Sequence, residues 1–255
     1  KVSTGAVVGE TRISDQKIPD TEALSIDGKG NLWIADTGDN LGVRHDIALY
    51  ALPEPGVGNH SVKATRYPLA YADGPHNVEA LLINRVTGDK YLATKAMPAG
   101  NLVPIPRILS TSKPNTLTVS DVVLPPIVTD GAITADGRFA IIRTYVAMSV
   151  YDVKTWKLRR TTFLPPQKQG ETLAGEPGGK TVLIGSEGKH SQLLRVALDT
   201  SQAPVPTETP STTATPSPSA EKSTESGRSR TNWWIAGGAG VVLVAAGGLV
   251  TRRRR

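Results

Sequence analysis

The stretch TEALSIDGKGNLWIADTGDN (residues 21–40) shows the pattern on which the first 200 residues are built. A short apolar run leads into a turn rich in glycine and aspartate, and a second apolar run ends in a cluster of polar side chains. The same succession recurs roughly every 40 to 60 residues, in VEALLINRVTGDKYLATK (78–95), DGAITADGRFAIIRTY (130–145) and GETLAGEPGGKTVLIGSEG (170–188). Repeats of this length built from short strands are typical of the blades of a β-propeller.

The repeats predict an all-β fold for residues 1–199. No window of this region shows a sustained 3.6-residue periodicity, and glycine and proline recur between the apolar runs, as they do in turns. We expect a β-propeller of about four to five four-stranded blades, a number that leaves room for an incomplete five- or six-bladed ring.

The composition changes abruptly near residue 200. Residues 200–232 are rich in proline, threonine and serine and predict a disordered stalk, because they have few apolar side chains to bury. Residues 233–250 carry no charge and begin with two tryptophans, which predicts a single transmembrane helix; a buried helix of a soluble domain is the alternative. The arginine-rich residues 251–255 would form a cytoplasmic tail, which puts the N-terminal domain outside the cell.

Charge and cysteine content exclude several classes of protein. Seven basic and three acidic residues follow residue 200, a net +4 of the total +6, so the folded part lacks the basic excess of a nucleic-acid-binding protein. The chain has no cysteine, which excludes disulfides, thiolate zinc sites and cysteine nucleophiles.

The chain begins with Lys1, and we expect further residues upstream of it, a signal peptide among them.

Charged side chains occupy corresponding places in the repeats. The innermost strands would begin at Glu22, Glu79, Gly131 and Glu171, and the second strands would end at Asp36, Lys95, Arg143 and Ser186–Glu187. Because antiparallel neighbours return to the same end of a blade, these side chains should meet at one mouth of the propeller. The candidate ligand-binding set is Glu22, Asp36, Glu79, Lys95, Arg143, Glu171 and Glu187. This set is either a polar ring that binds a cation or charged ligand, or an ion-pair network between neighbouring blades.

The polar cluster DTGDN that ends the first repeat also has two interpretations. Asp36, Asp39 and Asn40 carry the oxygen ligands that calcium prefers, which makes them candidate metal ligands and calcium a candidate cofactor. Alternatively, the cluster only builds a turn, in which Gly38 has a positive φ and Asp39 and Asn40 bond nearby backbone groups. Arg44 would then pair with Asp36 or Asp39.

Several motifs carry a resemblance to known propellers. IDGKGNLWIADTGDN is similar to the repeat of NHL and gluconolactonase-type propellers. In chain order, DTEALSID, WIADTGDN, YADGPHNVEALL, TDGAITADGRFAIIRTY and QGETLAG resemble the secreted actinobacterial β-propeller proteins related to the esterase-like-activity-of-phytase propellers. The resemblance implies a secreted propeller, here with a C-terminal membrane anchor, and one or two further blades before the first residue.

Two classes of function follow from these observations. The first is a binding or interaction module at the cell surface, held in the membrane by residues 233–250, with an unknown extracellular ligand or protein as its partner. The second is a calcium-type metal-dependent hydrolase of phosphoester or lactone substrates that works at the propeller mouth. The chain contains neither the G-x-S-x-G nor the H-E-x-x-H motif, so no catalytic residue can be named.

Overall fold

The computed structural model describes residues 1–203, which form strands, turns and loops without a helix. Most strands belong to four blades in which neighbours in sequence pair antiparallel. This arrangement confirms the all-β, propeller-like fold that the repeats predict, and the four blades fall within the expected number. The prediction of four strands in each blade holds for two blades, whereas the other two have five and three strands.

The blades follow one another in chain order. Blade one consists of β2 (Thr21–Ile26), β3 (Asn31–Asp36), β4 (Ala48–Pro53) and β6 (Thr65–Tyr71), with β10 (Asn115–Leu117) added in parallel at its outer edge. Blade two consists of β7 (Val78–Ile83), β8 (Lys90–Thr94), β9 (Gly100–Ile105) and β11 (Val123–Leu124). Blade three consists of β12 (Val128–Ile133), β13 (Phe139–Thr144), β14 (Ala147–Asp152) and β15 (Leu158–Phe163). Blade four has three strands, β16 (Gly170–Gly175), β17 (Thr181–Ser186) and β18 (Leu194–Ala197). Outside the blades, β1 (Gly9–Ile13) pairs in parallel with β5 (Gly58–Val62).

The innermost strands β2, β7, β12 and β16 lie next to one another in that order and line a central cavity of about 370 Å³. Every residue of β7 is buried, whereas Leu24 in β2 is 61% exposed. Within residues 1–203, no hydrogen-bonded strand pair joins blade four to blade one. Blades two and three are therefore covered on both sides, and the inner strand of blade one keeps an exposed apolar side chain.

Apolar side chains fill the space between consecutive blades. Leu81 packs in the cluster between blades one and two, and its neighbour Leu82 in the cluster between blades two and three. In blade three, Ile142 packs in the cluster shared with blade two, and its neighbour Ile141 packs in the cluster shared with blade four. Successive side chains of a strand point to opposite faces, so a blade with a neighbour on each side needs apolar residues at every position. This explains the continuous apolar runs of the repeats.

The turn of the first repeat is built around Asp27. Its carboxylate accepts hydrogen bonds from the backbone N–H groups of Lys29 (2.8 Å) and Asn31 (2.9 Å), and from the side chains of Asn31 and Trp33 (both 2.9 Å). Burial raises the pKa of Asp27, but these hydrogen bonds outweigh it and lower the pKa to about 2. The D-x-x-G-N-L-W pattern thus closes the hairpin from β2 to β3 and fixes the tryptophan in the core.

The predicted stalk from residue 204 onward, the transmembrane helix (233–250) and the basic tail (251–255) lie outside the described residues. Among residues 1–203, the structure contains no helix with the length and apolarity that crossing a membrane requires.

Candidate functional site

Each innermost strand has a β-bulge near its first residue. The residues without a ladder partner are Glu22, Glu79, Thr129 and Glu171. A bulge turns a side chain out of the regular alternation of its strand. All four bulges lie at the end of the propeller where β2, β7, β12 and β16 begin, which we call the mouth. Three of the predicted glutamates therefore occupy equivalent positions there.

The bulges correct the predicted alignment of blade three. The sequence pattern puts Gly131 at the position of Glu22, but the strand pairing shows that Thr129 occupies it. The residue that corresponds to Lys95 is accordingly Tyr145, since each follows the last paired residue of its second strand. The register of a strand depends on its pairing with the neighbouring strand. In the other three blades a glutamate marks the bulge position in the sequence, but blade three has no glutamate there.

Glu79 and Lys95 form an ion pair at the mouth. Lys95 Nζ lies 3.0 Å from Glu79 Oε1, and the glutamate is only 5% exposed. Asn77 Nδ2 donates to the same oxygen at 3.1 Å. Burial lowers the pKa of Lys95, but hydrogen bonds with Tyr145 and Glu79 outweigh it and raise the pKa. This part of the mouth has the geometry of an ion-pair network.

Tyr145 continues the network into blade four. Its hydroxyl group donates to Glu171 Oε1 at 3.3 Å, and Gln169 Nε2 donates to the same oxygen at 3.0 Å. The Tyr145 ring also faces Lys95 Nζ, 5.3 Å from the ring centroid. Polar contacts therefore run from Glu79 in blade two, past blade three, to Glu171 in blade four.

Glu22 differs from the other two glutamates, because no basic side chain among residues 1–203 forms an ion pair with it. Its carboxyl group instead meets that of Asp20, and a Cβ atom at Gly38 would collide with both. Burial, together with the charges of Glu79 and Asp20 and a hydrogen bond with Asp20, raises the pKa of Glu22 to about 8. At neutral pH the Glu22 carboxyl group therefore keeps its proton.

The residue two positions before each glutamate explains this difference. Asn77 and Gln169 donate amide hydrogens to Glu79 and Glu171, respectively. The corresponding residue in blade one is Asp20, which has no hydrogen to donate when it is ionised. Blade one therefore presents two adjacent carboxyl groups where blades two and four have a carboxylate and an amide.

Backbone groups and Arg44 satisfy the carboxylates of the turn after β3. Arg44 Nη2 lies 3.1 Å from Asp36 Oδ1. Asp39 accepts hydrogen bonds from the backbone N–H groups of Val43 and Arg44, both at 2.9 Å. Burial raises the pKa of Asp39, but these bonds outweigh it and hold the pKa below its ordinary value. The contacts confirm the predicted partner of Arg44 and the predicted capping by Asp39.

Two details of this turn differ from the prediction. Asn40 Oδ1 accepts a hydrogen bond from the Asn77 side chain at 3.1 Å, so Asn40 links blades one and two and does not cap the turn. Gly38 has no positive φ, and Gly42 adopts it instead (φ 65°). Glycine is required at position 38 because of the carboxyl groups packed against it.

Arg143, expected among the glutamates, is fully buried between blades three and four. Its guanidinium group donates to the carbonyl oxygens of Thr172 and Gly185 and, at 2.6 Å, to Gln167 Oε1. Burial lowers the pKa of Arg143, although the negative charges of Asp130 and Glu171 oppose this shift. Arg143 therefore acts as a clamp between two blades and leaves the mouth glutamates to Lys95.

Asp130, which the sequence pattern does not single out, forms a second tie between these blades. Its Oδ2 atom accepts the backbone N–H of Leu173 at 2.6 Å, and its Oδ1 atom that of Gly131 at 2.7 Å. Burial raises the pKa of Asp130 to about 7, although these bonds and the charge of Arg143 oppose the shift. Its role depends on blade packing, for which the sequence contains no local signal.

Glu187, the last residue of the predicted ligand-binding set, is not part of the polar network at the mouth. Glu187 is exposed in the loop after β17, where its backbone N–H donates to Gln169. Within the part of the chain that the structure describes, no three His, Cys, Asp or Glu side chains are grouped so that they could hold a metal ion. The assignment of Asp36, Asp39 and Asn40 to calcium stays a prediction.

Asp20, Asn77 and Gln169 were also missed, although the sequence carried a signal for them. Each is a polar residue two positions before a glutamate that begins an apolar run, in DTEAL, NVEAL and QGETL. Comparison of the repeats at that position would have identified all three.

Comparisons with known proteins add only a distant likeness. No model of a protein family matches the chain, and no curated protein matches it. Among solved structures, hydrazine synthase of Kuenenia stuttgartiensis is similar over 76% of this chain, with 13% sequence identity and a TM-score of 0.45. The similarity spans 49% of that protein. At this level it carries no argument about function, and the propeller-like fold rests on the strand topology.

Proposed function

We propose that this protein is a binding module at the cell surface, anchored by residues 233–250, whose mouth binds a ligand with an ammonium or guanidinium group. The apolar segment and the arginines after it support the anchor and the outward orientation of the propeller. The mouth supports the choice of ligand, because it contains more carboxyl groups than basic side chains.

The Asp20–Glu22 pair is the observation that carries the proposal. Glu79 already has Lys95 and Asn77 as partners, and Glu171 has a tyrosine and a glutamine. Asp20 and Glu22 have no basic partner among the described residues. A cationic group placed between them would offset the repulsion that arises when Glu22 ionises, and it would donate hydrogen bonds to both carboxylates.

Binding of such a cation should release a proton. Because the pKa of Glu22 is raised to about 8, its carboxyl group is protonated at pH 7 and must ionise to pair with a cation. The enthalpy of binding should therefore depend on the ionisation enthalpy of the buffer. A ligand that bound only to exposed, already ionised carboxylates would release no proton, and its binding enthalpy would not depend on the buffer.

Calorimetric titration of the full chain in a neutral detergent with triarginine tests the binding site. Wild type should bind with release of about one proton, and Glu22→Gln should weaken binding about tenfold or more, as expected for loss of a charged hydrogen bond. Glu54→Gln, at an exposed position outside the mouth, is the matched control and should bind like wild type. The proposal would be refuted if Glu22→Gln bound triarginine as tightly as Glu54→Gln does, or if wild type did not bind it.

Protease treatment of intact cells tests the orientation. The propeller should be cleaved from the cell surface in the stalk without disruption of the cells. Cleavage only after lysis would contradict an extracellular propeller.

The metal-dependent hydrolase differs from this proposal in requiring a resident cation. No contact among the described residues favours it over binding, and a calcium-dependent gain in Tm would distinguish the two.

A further inference from the structure

A second polar cavity lies at the end of the blades opposite the mouth, between blades one and two. Its walls are the turn from β2 to β3, the turn from β7 to β8 and the segment after β9, and its volume is about 590 Å³. A Cβ atom at Gly28 would collide with the carbonyl oxygen of Arg85, so the two turns are in close backbone contact. The cavity is therefore held open by packed elements of two blades.

Four basic side chains line this cavity: Lys29, Arg85, Lys90 and Arg107. Only Arg107 has a carboxylate partner among residues 1–203, namely Asp89 at 2.7 Å. Asp27 also lines the cavity, but its two oxygens already accept four hydrogen bonds from its own turn. Four basic groups against the two carboxylates Asp27 and Asp89 leave the cavity with a net positive charge.

Lys90 is the most constrained of the four. Its Nζ lies 4.5 Å from the centroid of the Trp33 ring, and the other aromatic contact of that ring is Tyr67, stacked at 5.4 Å. Burial lowers the pKa of Lys90, the charges of Asp27 and Asp89 oppose this shift, and those of Lys29 and Arg107 add to it. Its ammonium group donates to the carbonyl oxygen of Gly88 at 3.4 Å but has no carboxylate partner in the described structure, so an anion from solution would stabilise it further.

We propose that this inter-blade cavity is a binding site for a tetrahedral oxyanion, a phosphoryl or sulfuryl group carried by a small molecule. Lys90, beside the Trp33 ring, provides a positive charge, and the exposed Arg85 provides a planar donor that can hold two oxygens of such a group. A volume of about 590 Å³ exceeds that of one oxyanion and falls in the range of sites for small organic ligands. This site is independent of the mouth and of the cation proposed there.

Titration of the full chain, in neutral detergent, with inorganic phosphate and with sulfate tests the site. Sodium chloride at equal ionic strength is the reference, so that general screening is subtracted. Wild type should bind at least one of the two oxyanions, and an affinity difference between them identifies the phosphoryl or the sulfuryl group as the preferred one. Lys90→Gln and Arg85→Gln should each raise the Kd about tenfold or more.

Lys63→Gln is the matched control, because Lys63 is exposed and lies outside the cavity. It removes the same charge and should leave the Kd unchanged. The inference is overturned if neither oxyanion binds more than chloride does, or if Lys63→Gln weakens binding as much as Lys90→Gln. Arg85→Gln keeps the test decisive if the half-buried Lys90 cannot be replaced without unfolding.

Discussion

Replacement of Glu22 by glutamine should stabilise the protein at high pH and change little at low pH. Glutamine has the shape of a protonated glutamate and never carries a charge. The folded-state pKa of Glu22, about 8, lies above the ordinary value of 4.5, so the folded protein keeps a proton that the unfolded chain loses. The wild-type free energy of unfolding must therefore fall as the pH rises from about 4.5 to about 8, and the variant should lack this contribution.

The size of the effect follows from the difference between the two pKa values. At about 1.36 kcal/mol per pKa unit, a rise from 4.5 to about 8 corresponds to an upper limit of about 5 kcal/mol. Glu22 is partly exposed, and solvent screening reduces the expected gain at pH 9 to about 1–2 kcal/mol. For a domain of this size that gain raises the Tm by roughly 2–8 °C.

Thermal or denaturant unfolding of wild type and Glu22→Gln at pH 5 and pH 9 measures the effect. The difference in unfolding free energy between the two proteins is compared at the two pH values, and this double difference cancels the contribution of the ionisable groups that both proteins have. Glu54→Gln serves as the control and should show no such double difference. If Glu22→Gln is destabilising at pH 9 by as much as at pH 5, the Glu22 carboxylate has a favourable partner when ionised, and the description of the Asp20–Glu22 pair is wrong.

Three further predictions concern the ties between blades and the turn after β3. Glu79→Ala should lower the free energy of unfolding by about 1–4 kcal/mol because Lys95 loses its partner, and an unchanged urea midpoint would contradict the ion pair. Arg143→Met should cost about 3–5 kcal/mol, since two buried backbone carbonyl oxygens and the Gln167 amide oxygen lose their donor; a loss below 1 kcal/mol would rule out the clamp. Calcium and EDTA should leave the Tm unchanged, because Asp36 and Asp39 are already satisfied; a gain near 2.7 kcal/mol at hundredfold excess over the Kd would establish the metal site.

The strand–turn–strand units could be predicted because their determinants are local. The predicted repeat over residues 21–40 contains β2 and β3, and Asp27 closes the turn between them with bonds to residues within six positions. The apolar runs could likewise be identified as strands, since a blade packed on both faces needs them.

The register of blade three and the position of Arg143 could not be predicted, because both depend on contacts between blades. The bulge at Thr129 is defined by pairing with β13, and Arg143 is buried by carbonyl groups of blade four. A charged residue at the end of a strand is usually solvent-exposed, so its sequence position favoured the mouth. The role of Asp20 was missed for a different reason: it precedes the predicted strand, and its meeting with Glu22 depends on the glycine at position 38.

The central claim is that blade one presents a carboxyl pair that has no basic partner among residues 1–203 and can accept a cation. Its most direct test is a titration of the Glu22 carboxyl carbon by carbon-13 NMR in the full chain, assigned by its loss in Glu22→Gln. The midpoint should lie near pH 8, fall by at least about one pH unit when triarginine is bound, and fall likewise in Asp20→Asn, which restores the amide donor found in blades two and four. A midpoint near the ordinary value of 4.5 that neither change moves would contradict the claim.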